Sequence, residues 1–502
     1  AWQDGDAGAT MQLSRPPTLQ KANGLGSAVR SAFVWNVLSS AFAQIALAGM
    51  FLLIAGRLTP ELFGLFALAA VLTDVIASLI TSASIDIVVQ RQDFTRRSLS
   101  TMLWLTLSLG GVVSIAIVIA SGAYAQAINV PEVAQLVQLL VVSILMAPFI
   151  IGPTAVMRQR LDFKGLSVIN MASAFIGALA ALATAYSPFM PWSLVVQRFV
   201  TTSINIVLAT ARTRILPTFE FDASMARNTI RPLAKIVAGQ GVASVVPRVI
   251  DLAMGLFFGA SALGHLRVAV KLSDMALNLL VNPIGQLWVV MLAKARTTGD
   301  NGSDIFLQLS RLTSLIALPG FLGLALVAHD LTALVLPPVY APVGDFLAVL
   351  CAIGVFVPLT NPRNAILTVL QKFNALFWFA CLDLCATVVA LYAFHWWGPV
   401  AMLAGLASVP VLLLMFAVPY VLRQLHTDAR ALAVVIQPAY FAAAAMCVCV
   451  LGAAPFVASL GALQSFAVKV ALGGTIYLAV LGLIFRSTAR EAIKTIFQRA
   501  PQ

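Results

Sequence analysis

Apolar runs of about 20 residues, the length that crosses a bilayer as a helix, recur along this chain from Ala32 to Phe485 with only short gaps between them. That pattern leaves one class of fold open. In hydrocarbon every backbone N–H and C=O must be satisfied within its own segment, so each run becomes a helix and the helices pack as a bundle. The longest gap, near Arg212 to Lys235, has no room for a soluble catalytic domain. Composition agrees: 60% of the 502 residues are hydrophobic and 10% charged, against about 25% charged in ordinary soluble domains.

Gly, Pro and charge punctuation divide the apolar stretch into fourteen spans, giving an all-α polytopic membrane protein. An even number puts both termini on one side. Most of the 31 Lys and Arg residues fall in alternate gaps, in clusters such as Arg91, Arg96 and Arg97; Arg158, Arg160 and Lys164; and Arg212, Arg214, Arg227, Arg231 and Lys235. The positive-inside rule then makes that side, and both termini, cytoplasmic. The net charge of +12 is spent on topology, and nucleic-acid binding is set aside. The expected organisation is a cytoplasmic tail (1–31), a first lobe of six helices (32–211), a basic linker (212–234), a second lobe of six (235–422), a C-terminal helix pair (423–485) and a cytoplasmic tail (486–502). The two lobes and the extra pair would surround a central cavity, as in transporters built from internal repeats.

Polar residues within the spans show where such a cavity would be lined, because a charge at a helix centre is costly unless it is paired or faces water. In span eight (266–291) Arg267, Lys271, Asp274 and Asn278 follow at spacings of 4, 3 and 4 and form one stripe, continued by Asn282 and Gln286. Span seven (235–258) repeats the pattern with Gln240, Ser244, Arg248, Asp251 and Gly255, so that Arg248 and Asp251 can pair within the helix. Weaker stripes run along span one (Asn36, Ser40, Gln44) and span two (Asp74, Ser78, Thr81, Ser82), and Arg198 lies inside span six. Cations outnumber acids on spans seven and eight. Leftover positive charge in a membrane cavity calls for an anionic ligand, and phosphate suits Arg and Lys best.

Arg57 stands apart as a cation on the non-cytoplasmic side. Arg363 and Lys469 either snorkel to the two surfaces or serve function. Asp74, Asp251, Asp274 and Asp383 are candidates for proton or cation coupling, and Asp86, close to a helix end, has a structural place. The five cysteines sit in apolar spans with no zinc-type spacing and read as small core residues. There is no GxxxxGK[ST] or HExxH motif, the four histidines are scattered, and no cofactor or metal is expected.

The chain resembles the polysaccharide transporter (Wzx-type flippase) family of the multidrug/oligosaccharidyl-lipid/polysaccharide exporter superfamily. The residues that carry the likeness run in order from about 30 to 425. They are Gly56-Arg57-Leu58-Thr59-Pro60-Glu61 with Phe63-Gly64; Val89-Gln90-Arg91-Gln92-Asp93 with Leu99-Ser100-Thr101 and Trp104; Arg158-Gln159-Arg160-Leu161-Asp162-Phe163; and Trp192-Ser193-Leu194-Val195 with Gln197-Arg198. Asp251, Phe258-Gly259, Ala262-Leu263-Gly264 and Pro283-Ile284-Gly285 follow. One departure is Gly264-His265-Leu266-Arg267, where many relatives show Gly-Leu-Tyr-Ser.

The resemblance implies a flippase of the bacterial inner membrane that moves an undecaprenyl-pyrophosphate-linked glycan repeat unit by alternating access. It implies bilayer lipids as surroundings and a polymerase and chain-length regulator as pathway partners. It places family positions at Arg57, Arg198, Arg248, Asp251 and the start of span eight. Two rivals stay open. A drug or metabolite antiporter of the same superfamily would favour an acidic cavity, and a membrane glycosyltransferase or polymerase would want a larger outer loop than the one around His329 to Asp345.

Overall fold

The structure is a computed structural model that describes residues 44–90, 95–128, 130–160, 162–215, 218–281, 284, 302–457 and 461–483. The tails, the start of span one with Asn36 and Ser40, the side chain of Gln240, and the end of span eight with Asn282 and Gln286 lie outside the described residues. Among the described residues the chain is helical without strands, and twelve helices are long and apolar enough to cross a membrane, with the shorter Gln44–Ala55 besides. Large apolar side chains point outward, among them Ile119 (77% exposed) and Phe456 (83%). Such an apolar exterior suits a chain surrounded by lipid.

The described residues divide into two compact units, one within Ala69–Gly241 and the other within Val37–Leu68 and Val242–Gln502. In the first unit lie most of α2 (Pro60–Gln90), then α3 (Arg96–Ala127), α4 (Glu132–Gln159, in three helical pieces), α5 (Phe163–Ala185), α6 (Ser193–Thr213) and the opening of α7 (Ala223–Leu280). Helix α7 therefore begins inside the segment read as a linker. A core of Ala83, Ile87, Met102, Ile151, Ala155 and Leu233 ties α2, α3 and α4 to that opening.

Side-chain caps set the helix starts, as expected for Thr and Asp at the N-cap. Thr95 accepts from the Ser98 N–H at 3.1 Å, and Asp162 from the Gly165 N–H at 3.0 Å. That hydrogen bond, with the Arg212 guanidinium 3.1 Å away, holds the Asp162 carboxyl below the usual carboxylate range. At the same end Arg158 reaches Asp86 at 3.4 Å, which agrees with a structural place for Asp86. The Leu99-Ser100-Thr101 and Trp104 motif has a clear task. The Trp104 indole donates to the Thr218 carbonyl at 2.8 Å, and the Thr101 hydroxyl accepts from the Asp222 N–H at 3.0 Å, so α3 holds the segment that leads into α7.

The second unit contains α1 (Gln44–Ala55), the start of α2, the rest of α7, α8 (Ser303–Leu326), α9 (Ala328–Val335), α10 (Val343–Ile353), α11 (Val357–Val369), α12 (Phe373–Phe394), α13 (Pro399–Gly405), α14 (Ser408–Leu425), α15 (Ala429–Val457) and α16 (Ala462–Leu483). The last two helices close on α8 through Leu318, Ala442, Met446 and Tyr477, whose hydroxyl donates to the Leu315 carbonyl at 2.9 Å. Lys469 does not snorkel. Its ammonium lies 2.6 Å from Asp330 on α9, which also accepts from Ser465, and both charges are mostly buried. Paired burial of this kind holds because removing either partner would strand a charge in a low dielectric. Of the cysteines only Cys351 is buried, while Cys385 and Cys449 are exposed; the outer face of a membrane helix accepts a small apolar side chain as readily as the core does.

Two backbones meet closely within the second unit. A Cβ added at Gly64 would lie 1.7 Å from the Ala260 carbonyl oxygen, and one added at Gly264 would lie 1.7 Å from that of Pro60. The start of α2 and the second arm of α7 thus cross through a reciprocal pair of glycines, the small-residue contact that lets membrane helices approach.

Candidate functional site

Helix α7 turns at Gly259, which has φ +83° and ψ 176°. A glycine takes that backbone conformation at little cost, and any other residue would be strained there. Span eight thus begins directly after Gly259, several residues earlier than its expected start at 266, and the expected loop is a one-residue turn. Asp251 and Arg267 are 16 positions apart and would be about 24 Å apart along a straight helix. The Arg267 guanidinium nevertheless donates to the Asp251 carboxylate at 2.6 Å, so the two arms of α7 fold back on each other.

Asp251 is the centre of the arrangement. Its side chain is 6% exposed, and Arg248, one turn earlier on the same arm, lies 3.6 Å from the same oxygen. One buried carboxylate therefore holds two guanidiniums. The spacing along span eight puts Arg267 on one stripe with Asp274, but its ion-pair partner lies on the other arm. Periodicity along one helix cannot report a partner on the next. Lys271 and Asp274 continue the second arm, both exposed, and neither makes an ion pair with a described residue; Asn278 follows, half-buried. Within the membrane-spanning part of α7, Gly241–Leu280, Arg248, Arg267 and Lys271 stand against Asp251 and Asp274, a surplus of one positive charge.

Removing the central carboxylate should be costly. In Asp251→Asn two guanidiniums lose their anion, and breaking a buried pair costs about 3 to 5 kcal/mol. Thermal unfolding of the purified protein is expected to show a clear fall in midpoint for Asp251→Asn and partial recovery when Arg248→Gln is added. Unchanged heat resistance in the single variant would show that other groups hold the arginines.

The departure Gly264-His265-Leu266-Arg267 is accommodated within this unit. The buried His265 ring lies 3.0 Å from the Val339 carbonyl oxygen through Nε2, Leu266 is fully buried, and the Tyr340 ring packs edge-on to His265 at 6.1 Å. The Tyr340 hydroxyl donates to the Leu58 carbonyl at 2.7 Å. Tyr340 thereby links the second arm of α7 to the loop that carries Arg57.

In the first unit Arg198 on α6 and Asp74 on α2 are joined at 2.7 Å. Read along the chain the two have separate roles, and no spacing signals the pairing. The face of α6 that carries Arg198 and Thr202 continues to Asn205, whose amide donates to Asn170 on α5 at 2.9 Å. Among the described residues no group of three or more His, Cys, Asp or Glu is placed to hold a metal ion.

The profile of the family described as "Polysaccharide biosynthesis protein" matches residues 53–344, which include α7 with its turn and both arms. The chain belongs to this family. Among similar proteins is the lipopolysaccharide biosynthesis protein WzxC of Escherichia coli (strain K12), 21% identical over 347 residues, or 68% of this chain and 70% of WzxC. The teichuronic acid biosynthesis protein TuaB of Bacillus subtilis (strain 168) is 25% identical over 323 residues, 64% of this chain and 63% of TuaB. Among solved structures, lipid II flippase MurJ in an inward closed conformation aligns over 92% of this chain and 100% of its own, with a TM-score of 0.73 at 10% identity. An inward-facing multidrug resistance transporter of the MATE family reaches 0.54 over 79% of this chain and 94% of its own, at 13% identity. These two likenesses show the fold: the chain is a multi-pass membrane protein with the architecture shared by these transporters.

Proposed function

We propose that this chain is a flippase that carries a lipid-pyrophosphate-linked oligosaccharide repeat unit across the bacterial inner membrane, by alternating access, for synthesis of a surface polysaccharide. Undecaprenyl pyrophosphate is the proposed lipid carrier, with fourteen spans, both termini in the cytoplasm and no catalytic chemistry of its own. A polymerase and a chain-length regulator of the same pathway are the proposed partners. The family and its polysaccharide relatives support the class of cargo. The surplus charge on the two arms of α7 carries the reading of its chemistry.

Arg248 and Arg267 are occupied by Asp251, which leaves Lys271, exposed and without an ion-pair partner among the described residues, as the cation presented to a diphosphate. Arg57, Arg198 and Asn278 are proposed further contacts. Asp74 and Asp251, each engaged by arginine, fit a coupling role less well than the exposed Asp274. An antiporter of cationic drugs would be poorly served by a surplus of positive charge.

In cells that depend on this gene for polysaccharide export, Lys271→Ala is expected to lower export at least tenfold while protein level and heat resistance stay native, because an exposed cation contributes little to folding. Export at the native level would overturn the assignment. Arg267→Ala is a less clean test, since it also strips a partner from buried Asp251.

A further inference from the structure

A groove of about 410 Å³ lies within the first unit between α3, α4 and α6. The size is in the range of about 300 to 1,000 Å³ usual for small-molecule sites. Leu99, Leu103, Phe149, Ile206 and Val207 give it apolar walls, and Arg96 also lines it. Val207 is 60% exposed, so the groove opens on an outer face of the unit.

Among the described residues the charge around it is unbalanced. Arg97 and Arg212 are matched by Asp222 and Asp162, at 3.6 and 3.1 Å. Arg96 and Arg214 are exposed and make no ion pair with a described residue. An aromatic pair marks the same end: Phe219, 92% exposed, stacks on Trp104 at 5.4 Å. Trp104 is half-buried, and tryptophan is enriched at the headgroup level of a bilayer. From that level the apolar walls lead into the depth of the hydrocarbon.

We propose that this groove is a binding site for an anionic phospholipid, with an acyl chain between α3, α4 and α6 and its phosphate at Arg96. An apolar hollow facing a bilayer takes hydrocarbon, and the Arg96 guanidinium, without an ion-pair partner among the described residues, selects a negative headgroup over a zwitterionic one. None of its lining residues lies on α7, and the proposal does not rest on the identity of the transported lipid.

Trp104, beside the groove-lining Leu103, is a built-in reporter. The native protein and Trp104→Phe are reconstituted into vesicles that contain phosphatidylglycerol or phosphatidylcholine with brominated acyl chains, and the fluorescence difference between the two proteins isolates Trp104. At equal lipid fraction, brominated phosphatidylglycerol is expected to quench Trp104 at least twofold more than brominated phosphatidylcholine, and Arg96→Gln to remove the preference. Gly152→Leu should abolish the excess quenching, because a side chain there enters open space, with nothing within 4 Å of its Cβ. Val207→Phe serves as a second way to fill the groove if that variant does not fold. Equal quenching by the two lipids, or a preference that survives both fillings, would overturn the site. Displacement of brominated phosphatidylglycerol by a trace of polyprenyl diphosphate would overturn the choice of occupant.

Discussion

Replacing Gly64 or Gly264 by alanine is expected to stop the protein accumulating in the membrane. A Cβ at either position would be 1.7 Å from a carbonyl oxygen of the facing backbone, whereas a close carbon–oxygen contact in proteins is about 3.3 Å. Neither obstacle is a flexible side chain that could turn aside. The two segments would have to separate, and the distortion would spread to the Gly259 turn and the Asp251 ion pairs just beyond it. The cost is expected to exceed the roughly 1 to 3 kcal/mol of ordinary overpacking. Gly111→Ala is the control: a Cβ there meets nothing within 4 Å, and alanine favours the helix by up to about 1 kcal/mol. Membrane-fraction immunoblots and thermal unfolding check this. Native levels of Gly64→Ala would mean that the helices do not cross as closely as described.

The same two glycines show what a sequence can and cannot disclose. Phe63-Gly64 and Ala262-Leu263-Gly264 are legible as family motifs, but their reason, two backbones in contact, belongs to a crossing of distant segments. Hydrophobic run length located the spans because the bilayer sets it directly. The spacing of Arg248 and Asp251 foretold their pairing because one helical turn fixes it. Asp251 with Arg267, Asp74 with Arg198 and Asp330 with Lys469 were hidden, since each pair joins different helical segments and periodicity says only which residues share a face. The spacing of spans seven and eight predicts a loop of several residues at Gly259, because a single glycine with positive φ can reverse a helix without the Pro, Asn or Asp that usually mark a turn. The hold of Trp104 and Thr101 on the segment before α7 was hidden for the same reason as the ion pairs.

For the proposed cargo, the driving force follows from its charge. Moving a lipid diphosphate with roughly two negative charges outward is favoured by an inside-negative potential, by about 2.3 kcal/mol per charge per 100 mV. If Lys271 stays near one depth while the transporter changes conformation, most of that gain drives transport. The potential alone should then suffice, with Asp274 at most modulating the rate.

The central claim, that this chain moves a lipid-linked anionic glycan, is tested most directly in proteoliposomes. The purified protein is reconstituted with an undecaprenyl-diphosphate-linked oligosaccharide, a potassium diffusion potential is imposed, and the fraction of glycan reached by an impermeant enzyme in the outer medium is followed over time. The expected result is glycan appearing outside far faster than in protein-free vesicles, at a rate that rises with inside-negative potential and falls at least tenfold in Lys271→Ala. A rate equal to that of protein-free vesicles, at any potential and under any proton or sodium gradient, would contradict it.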